Sequence, residues 1–381
     1  MNVPRMDWDR PPWNRWSFQH VRDILPTAEV SRGARPAHIF PTIPALLDDV
    51  EVSGLNSKAV SLDTFLHDTF TDGFIVLKHG RIVCERYFNG MTANTLHLSQ
   101  SVAKSFVGAV AGILVERGVL NLASPISDYL PELDNTGWKG ATLQQVLDMT
   151  TGVKFSEVYT DPYSDIGQVD VACGWKPIPV GADPAFKWPA HMWELILGLK
   201  TIVRPHGEKF EYRSIETDVL AFCLERVTGK RLPQLLSEEL WQRMGAQEDA
   251  YFTIDGSGFA TADGGLNACV RDYARFGQLM LEDGGGIIPS DWVKKTRIGF
   301  HGGFEGRYAS TLPNGAYRNM FWIDGTPSRA LLARGVFGQL IYINVATGVV
   351  VAKVSSWPEF VSPELEIATL NAIREIEKYL A

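Results

Sequence analysis

The sequence predicts an α/β fold in which one antiparallel sheet, closed by distant parts of the chain, is flanked by helices and joined to a large helical insertion. Three observations carry this expectation. Two β-rich hairpins lie near opposite ends of the 381 residues, and an amphipathic helix follows the second. Between the hairpins, apolar residues recur mostly at helical spacing. The composition, 45% hydrophobic and 21% charged, is that of an ordinary globular chain and excludes a disordered, collagen-like or coiled-coil protein.

Taken in order, residues 1–60 are rich in Pro, Arg and Trp with little periodicity, which predicts an irregular arm wrapped on the body and packed by Trp8, Trp13 and Trp16. Phe74–Lys78 and Arg81–Tyr87 flank the tight turn His79-Gly80 and read as a hairpin. Helices are expected over Ser101–Val119, from Thr142 with a capping box to Gln145, over Glu216–Val227 stopped by Gly229, over Pro233–Met244, and over Ala268–Leu281. The second hairpin joins Leu340–Val345 to Val349–Val354, and a helix follows from about Pro363 to Leu380. This order places a sheet unit in residues 1–90 and 285–381 and a mostly helical region in 91–284. The cleft between them is the default place for a site.

Charge and motif content remove several functions. With 36 Lys plus Arg against 44 Asp plus Glu, the net charge of −8 has the wrong sign for a nucleic-acid or anionic-membrane partner. Cys84, Cys173, Cys223 and Cys269 lie far apart without paired spacing and read as buried thiols, neither a zinc site nor a redox dithiol. The arm is too charged for a signal peptide and no apolar run is long enough to span a bilayer, so a reducing cytoplasm is the expected compartment. There is no GxGxxG, Walker loop, GxSxG or HExxH, and the eight histidines are scattered, so no cofactor and no metal is expected. His97 and His191 read as packing residues.

What remains is Ser101-Val-Ala-Lys104, opening an apolar helix. At i and i+3 the two side chains share a face, so the ammonium can shift the proton affinity of the hydroxyl, and the helix N-terminus can stabilise an oxyanion. The alternative is a capping serine beside a solvated lysine. Against it, Phe106-Val-Gly-Ala-Val-Ala-Gly-Ile-Leu114 looks buried on nearly all sides, so Lys104 is better placed to line a cleft. Tyr212, on a loop ahead of a helix, is either a half-buried anchor or a phenol whose pKa is lowered by the lysine so that it relays a proton.

These residues resemble the serine β-lactamase and penicillin-binding superfamily, and within it the nylon-oligomer hydrolase group, the 6-aminohexanoate-dimer hydrolases, which are also similar to carboxylesterases of β-lactamase fold. The stretches that carry the resemblance include Asn14-Arg-Trp16, Ser101-Val-Ala-Lys104, Val146-Leu-Asp-Met149, Tyr159-Thr-Asp-Pro162, Gly174-Trp175, Arg271-Asp-Tyr-Ala-Arg275 and Gly335-Val-Phe-Gly-Gln339. The resemblance implies Ser101 as nucleophile, Lys104 as its activating partner, Tyr212 as proton relay, and the N–H groups of Ser101 and Val336 as oxyanion hole. It further implies Tyr159 for the substrate amide nitrogen, Asp170 for its amino end, and Trp175 and Trp322 as cleft walls, although tryptophans are usually core and Asp170 alone would read as a solvated loop residue.

Departures from the superfamily pattern matter. Ser214 stands where Tyr-x-Asn would have asparagine. Lys295-Thr-Arg297 lacks the glycine of Lys-Thr-Gly and follows a helix-like start, which argues against β-lactam recognition. Asp263 takes a position that is Asn or His in the resembled group and bears on amide turnover. The expectation is a serine hydrolase acting through an acyl-enzyme on a small-molecule linear amide or ester, with a homodimer allowed by the resemblance. A carboxylesterase with negligible amidase activity and an idle binder of peptide or cell-wall fragments are the alternatives.

Overall fold

The computed structural model describes residues 3–43, 46–300, 302 and 304–381. Its largest sheet has seven antiparallel strands, in the spatial order Arg81–Tyr87, Thr71–Lys78, Val349–Ser355, Gln339–Asn344, Leu331–Gly335, Phe321–Ile323, Ala316–Arg318. The two hairpins are therefore present and joined edge to edge: Lys78 lies opposite Val349, and Phe74 opposite Lys353. Val349–Ser355 is buried throughout, as a Val-rich run covered on both faces should be. The helix Val270–Leu281 packs on one face, where Gly277 brings its backbone so near Ile341 and Val350 that a Cβ would lie 2.5 Å from the valine. On the other face the helix Pro363–Tyr379 is pinned by Asn344 donating to Glu377 at 2.7 Å and Arg374 pairing with Asp324 at 3.1 Å. Residues 270–281 thus lie with the sheet layer, although they fall within the stretch read as helical.

The helical elements follow their sequence signals closely. Thr142 and Gln145 form the reciprocal capping box, and Gly229 closes the helix Ile215–Thr228 in the left-handed conformation at φ 68°. Two differences are physical. The expected helix from Ser101 begins instead with a tight 3₁₀ turn, Gln100–Val102, before Ala103–Glu116, and Pro233–Met244 is a short helix, Leu232–Leu236, continued by a π turn, Ser237–Trp241.

A second sheet of four short strands, in the order Thr27–Val30, Ala250–Thr253, Leu266–Ala268, His97–Leu98, underlies the first residues of the Ser101 turn. The arm thus contributes a strand. Of its tryptophans only Trp8 is buried; Trp13 and Trp16 remain half-buried, Trp16 stacking on His20 at 4.1 Å. Asp72, buried at the start of the sheet, accepts from Arg15 at 3.1 Å, Asn89 at 3.1 Å, His97 at 3.1 Å and Ser356 at 2.7 Å. His97 also meets the Leu98 carbonyl and His191 caps the helix Met192–Gly198, so both are structural. All four cysteines are buried and free. Among the described residues no helix is long and apolar enough to cross a membrane.

Candidate active site

The turn that carries Ser101 is held from several sides. Leu98 donates to the Phe18 carbonyl at 2.9 Å, Ser99 to that of Leu266 at 2.8 Å, and Tyr273 to that of His97 at 2.8 Å. Gln100 is forced to φ 49°, a conformation unfavourable for a side-chain-bearing residue, immediately before Ser101. The strand Leu331–Gly335 runs alongside: a Cβ on Gly335 would lie 2.7 Å from the Ser99 carbonyl oxygen and 3.0 Å from the Ser101 nitrogen. Only glycine permits that approach, and it delivers the next residue, Val336, beside Ser101.

Lys104 is buried one helical turn on, among the apolar residues that the sequence places there. Its Nζ donates to Ser101 Oγ at 3.0 Å and to the backbone carbonyl of Asp263, while Asp263 Oδ2 is 4.0 Å away. Tyr212, on the coil before the helix Ile215–Thr228, lies beside Ser101 and Lys104, its ring centroid 5.4 Å from Lys104 Nζ, and stacks on Trp322 at 5.2 Å. The three side chains assigned to chemistry are therefore one cluster.

Electrostatics correct one expectation. Burial pushes the Tyr212 phenol above its usual range despite the lowering effect of Lys104, so the lysine does not produce a lowered phenol pKa. For Lys104 burial acts downward, but Tyr212, Asp263, Glu157 and Asp218 outweigh it, and its proton is held more tightly than in water. The resting cluster is an ammonium beside a neutral phenol. Burial also raises Asp263 and Asp218, the latter further because Asp263 faces it.

Two chambers meet at Ser101. The larger, a cavity of about 180 Å³, is mostly apolar and includes Tyr212, Trp322, Arg334, Trp357 and Leu370 in its lining. The smaller, about 40 Å³, is lined by Asp170, Trp175, Ser214 and Asp263 among others. Ser101, Tyr159, Val336 and Phe360 face both. Tyr159 donates its hydroxyl to Glu157 at 2.7 Å, which leaves its oxygen free to accept from a substrate N–H, and its ring stacks on Phe360 at 5.5 Å. Trp175 is wedged against Trp8 at 5.4 Å and donates to Thr253 at 2.9 Å. Asp170 is no solvated loop carboxylate: it pairs with Lys176 at 2.9 Å. Arg334 lies over Trp322 at 4.7 Å and pairs with Glu366, its pKa lowered to about 10 by burial. The Lys295-Thr-Arg297 string sits inside the helix Ser290–Ile298, away from the strand that would need it.

Sequence reasoning missed Glu157, which accepts from Tyr159 and from the Ser214 backbone, and Lys176. The i+2 spacing from Glu157 to Tyr159 was the only available signal for the first; nothing local marked the second.

A serine-lysine-tyrosine cluster under a glycine-flanked strand, on this sheet, defines a class: the chain belongs to the β-lactamase family, whose model matches residues 66–374, and it is a hydrolase of that superfamily. More particularly, it is 35% identical over 367 residues to the 6-aminohexanoate-dimer hydrolase of Paenarthrobacter ureafaciens, covering 93% of this chain and 89% of that protein. A solved structure from Bacillus anthracis, provisionally designated a 6-aminohexanoate-dimer hydrolase, superposes with a TM-score of 0.90 at 31% identity, covering 100% of this chain and 97% of the other. A family VIII carboxylesterase shares the fold at a TM-score of 0.58 and 17% identity, over 81% of this chain and 96% of the other.

Proposed function

We propose that this chain is a serine hydrolase that cleaves small linear amides or esters through an acyl-enzyme, without a cofactor. The observation that carries the reading is Lys104 Nζ at 3.0 Å from Ser101 Oγ with Tyr212 beside both. Ser101 Oγ attacks the carbonyl, and the new C–O bond puts negative charge on the carbonyl oxygen, where the N–H groups of Ser101 and Val336 receive it. Once the Lys104–Tyr212 pair has lost one proton to solvent, the serine proton passes into it, and Tyr212 returns that proton to the leaving nitrogen or oxygen as the C–N or C–O bond breaks. Water then repeats the attack on the acyl carbon and Ser101 regains its proton. Tyr159 accepts from the amide N–H, Trp175 and Trp322 wall the two chambers, and Asp263 sets the charge around Lys104.

In this reading a 6-aminohexanoate dimer is a substrate, its terminal ammonium directed toward Asp170. One observation favours the second reading, a carboxylesterase with negligible amidase activity: Asp170 already holds Lys176. A panel of p-nitrophenyl esters and linear ω-amino amides, assayed on wild type and Ser101→Ala, separates the two. Turnover of both substrate types, lost in the variant, supports the amide hydrolase; ester turnover alone supports the carboxylesterase.

A further inference from the structure

The smaller chamber, an acidic recess, contains more charge than the proposed mechanism uses. Asp9, from the arm, lines it together with Asp170, and Lys176 bridges the two at 2.8 Å and 2.9 Å. Each carboxylate accepts from the lysine at Oδ2. Asp9 is only 2% exposed, and its Oδ1 is buried with no hydrogen-bond partner. Two carboxylates against one ammonium leave a surplus of one negative charge in the pair. Arg10, whose guanidinium lies over the Phe360 ring at 5.3 Å, acts on Asp9 only at a distance. A buried carboxylate oxygen without a donor is costly, and a donor that also carries positive charge relieves both deficits at once.

We infer that Asp9 is a specificity-determining residue that completes, with Asp170, a two-carboxylate seat for the terminal ammonium of an ω-aminoacyl substrate, next to the internal ammonium of Lys176. This rests on the hydrolase reading above and names its acyl-side substrate class. The recess is small, about 40 Å³, and suits a compact ammonium head. A seat with one resident ammonium and one vacant charge also removes the objection raised by the Asp170–Lys176 pair. Lys176 answers part of the carboxylate charge and orients both groups, and the substrate answers the rest.

The test compares p-nitrophenyl 6-aminohexanoate with p-nitrophenyl hexanoate, which differ only in the terminal ammonium. Wild type should prefer the amino ester in kcat/KM by about tenfold or more. Asp9→Asn should cut that preference about tenfold, mainly through KM, and Lys176→Met should increase it, because the substrate then faces both carboxylates alone. A structural cluster would instead lose both esters in parallel in both variants, and that result, or a wild-type preference near one, overturns the proposal. If wild type hydrolysed neither ester, the hydrolase reading would fail by itself. Calorimetric binding of 6-aminohexanoic acid against hexanoic acid to wild type and Asp9→Asn would then decide the carboxylate seat: weaker binding of the amino acid alone in the variant sustains it, and equal binding refutes it.

Discussion

The two chambers that meet at Ser101 are built by opposite strategies. The larger is walled by stacked aromatics, with Tyr212 on Trp322 and Trp322 beneath Arg334, and its shape is set by dense, non-directional packing. The smaller is set by charge: Asp9, Asp170 and Asp263 line it, Lys176 pairs with the first two, and Glu157 accepts from Tyr159 and from the Ser214 backbone. The difference teaches where selectivity resides. An apolar wall discriminates a methylene by only about 1–3 kcal/mol, whereas a buried polar group rejects a ligand that leaves it unpaired far more strongly. The charged chamber should therefore choose the substrate, and the aromatic chamber should tolerate variety.

The largest expected effect tests the point at which the chambers meet. Ser101→Ala should abolish ester turnover while the fold is retained, and a fluorophosphonate should label Ser101 in the wild type, as peptide mass mapping would show; residual turnover in a clean preparation of the variant would sink the scheme. Next, Lys104→Ala and Tyr212→Phe should each lower kcat by about 10²–10⁴, with the double variant no worse than the poorer single one because both act on one proton. Multiplicative losses would separate Tyr212 from the pair.

Asp170→Asn tests the chambers against each other. It should lower kcat/KM for a 6-aminohexanoate dimer by about ten- to a hundredfold, the worth of a charge-assisted hydrogen bond of about 1.5–3 kcal/mol, and should affect a short-chain p-nitrophenyl ester much less. Equal losses on the two would make Asp170 structural. A further test concerns pH. The attacking serine needs a base that has lost its proton, and Lys104 is held protonated by Tyr212, Asp263, Glu157 and Asp218 against the effect of burial. Activity should therefore rise with pH, falling roughly tenfold per unit on the acid side of an apparent pKa above neutrality. A flat profile from about pH 6 to 9 would remove Lys104 from the base.

Much of this was legible from local pattern. The hairpins, the Thr142 capping box, the Gly229 stop and the buried helix behind Lys104 are short-range features with direct physical signatures. The residue cluster Ser101, Lys104 and Tyr212 needed the resemblance, because no periodicity places residue 212 beside residue 101. The four-stranded sheet escaped because strands as short as His97–Leu98 carry no readable alternation. The sign of the Tyr212 shift escaped because proximity to an ammonium can be guessed from sequence, whereas the depth of burial that overrides it cannot. Lys176 was equally silent: its partners lie 6 and 167 positions away in the chain.

Asp72 gathers Arg15, Asn89, His97 and Ser356 on one carboxylate. These come from the arm, the segment before the nucleophile turn, and the stretch after the last strand. In biosynthesis that junction cannot close until residue 356 has left the ribosome, some way after Val336, so we expect a nascent chain to carry Ser101 long before the proposed site around it is complete. Asp72→Ala should accordingly slow the recovery of activity on refolding more than it slows the recovery of helical circular dichroism. Parallel recovery of the two signals would show that the site assembles without the knot.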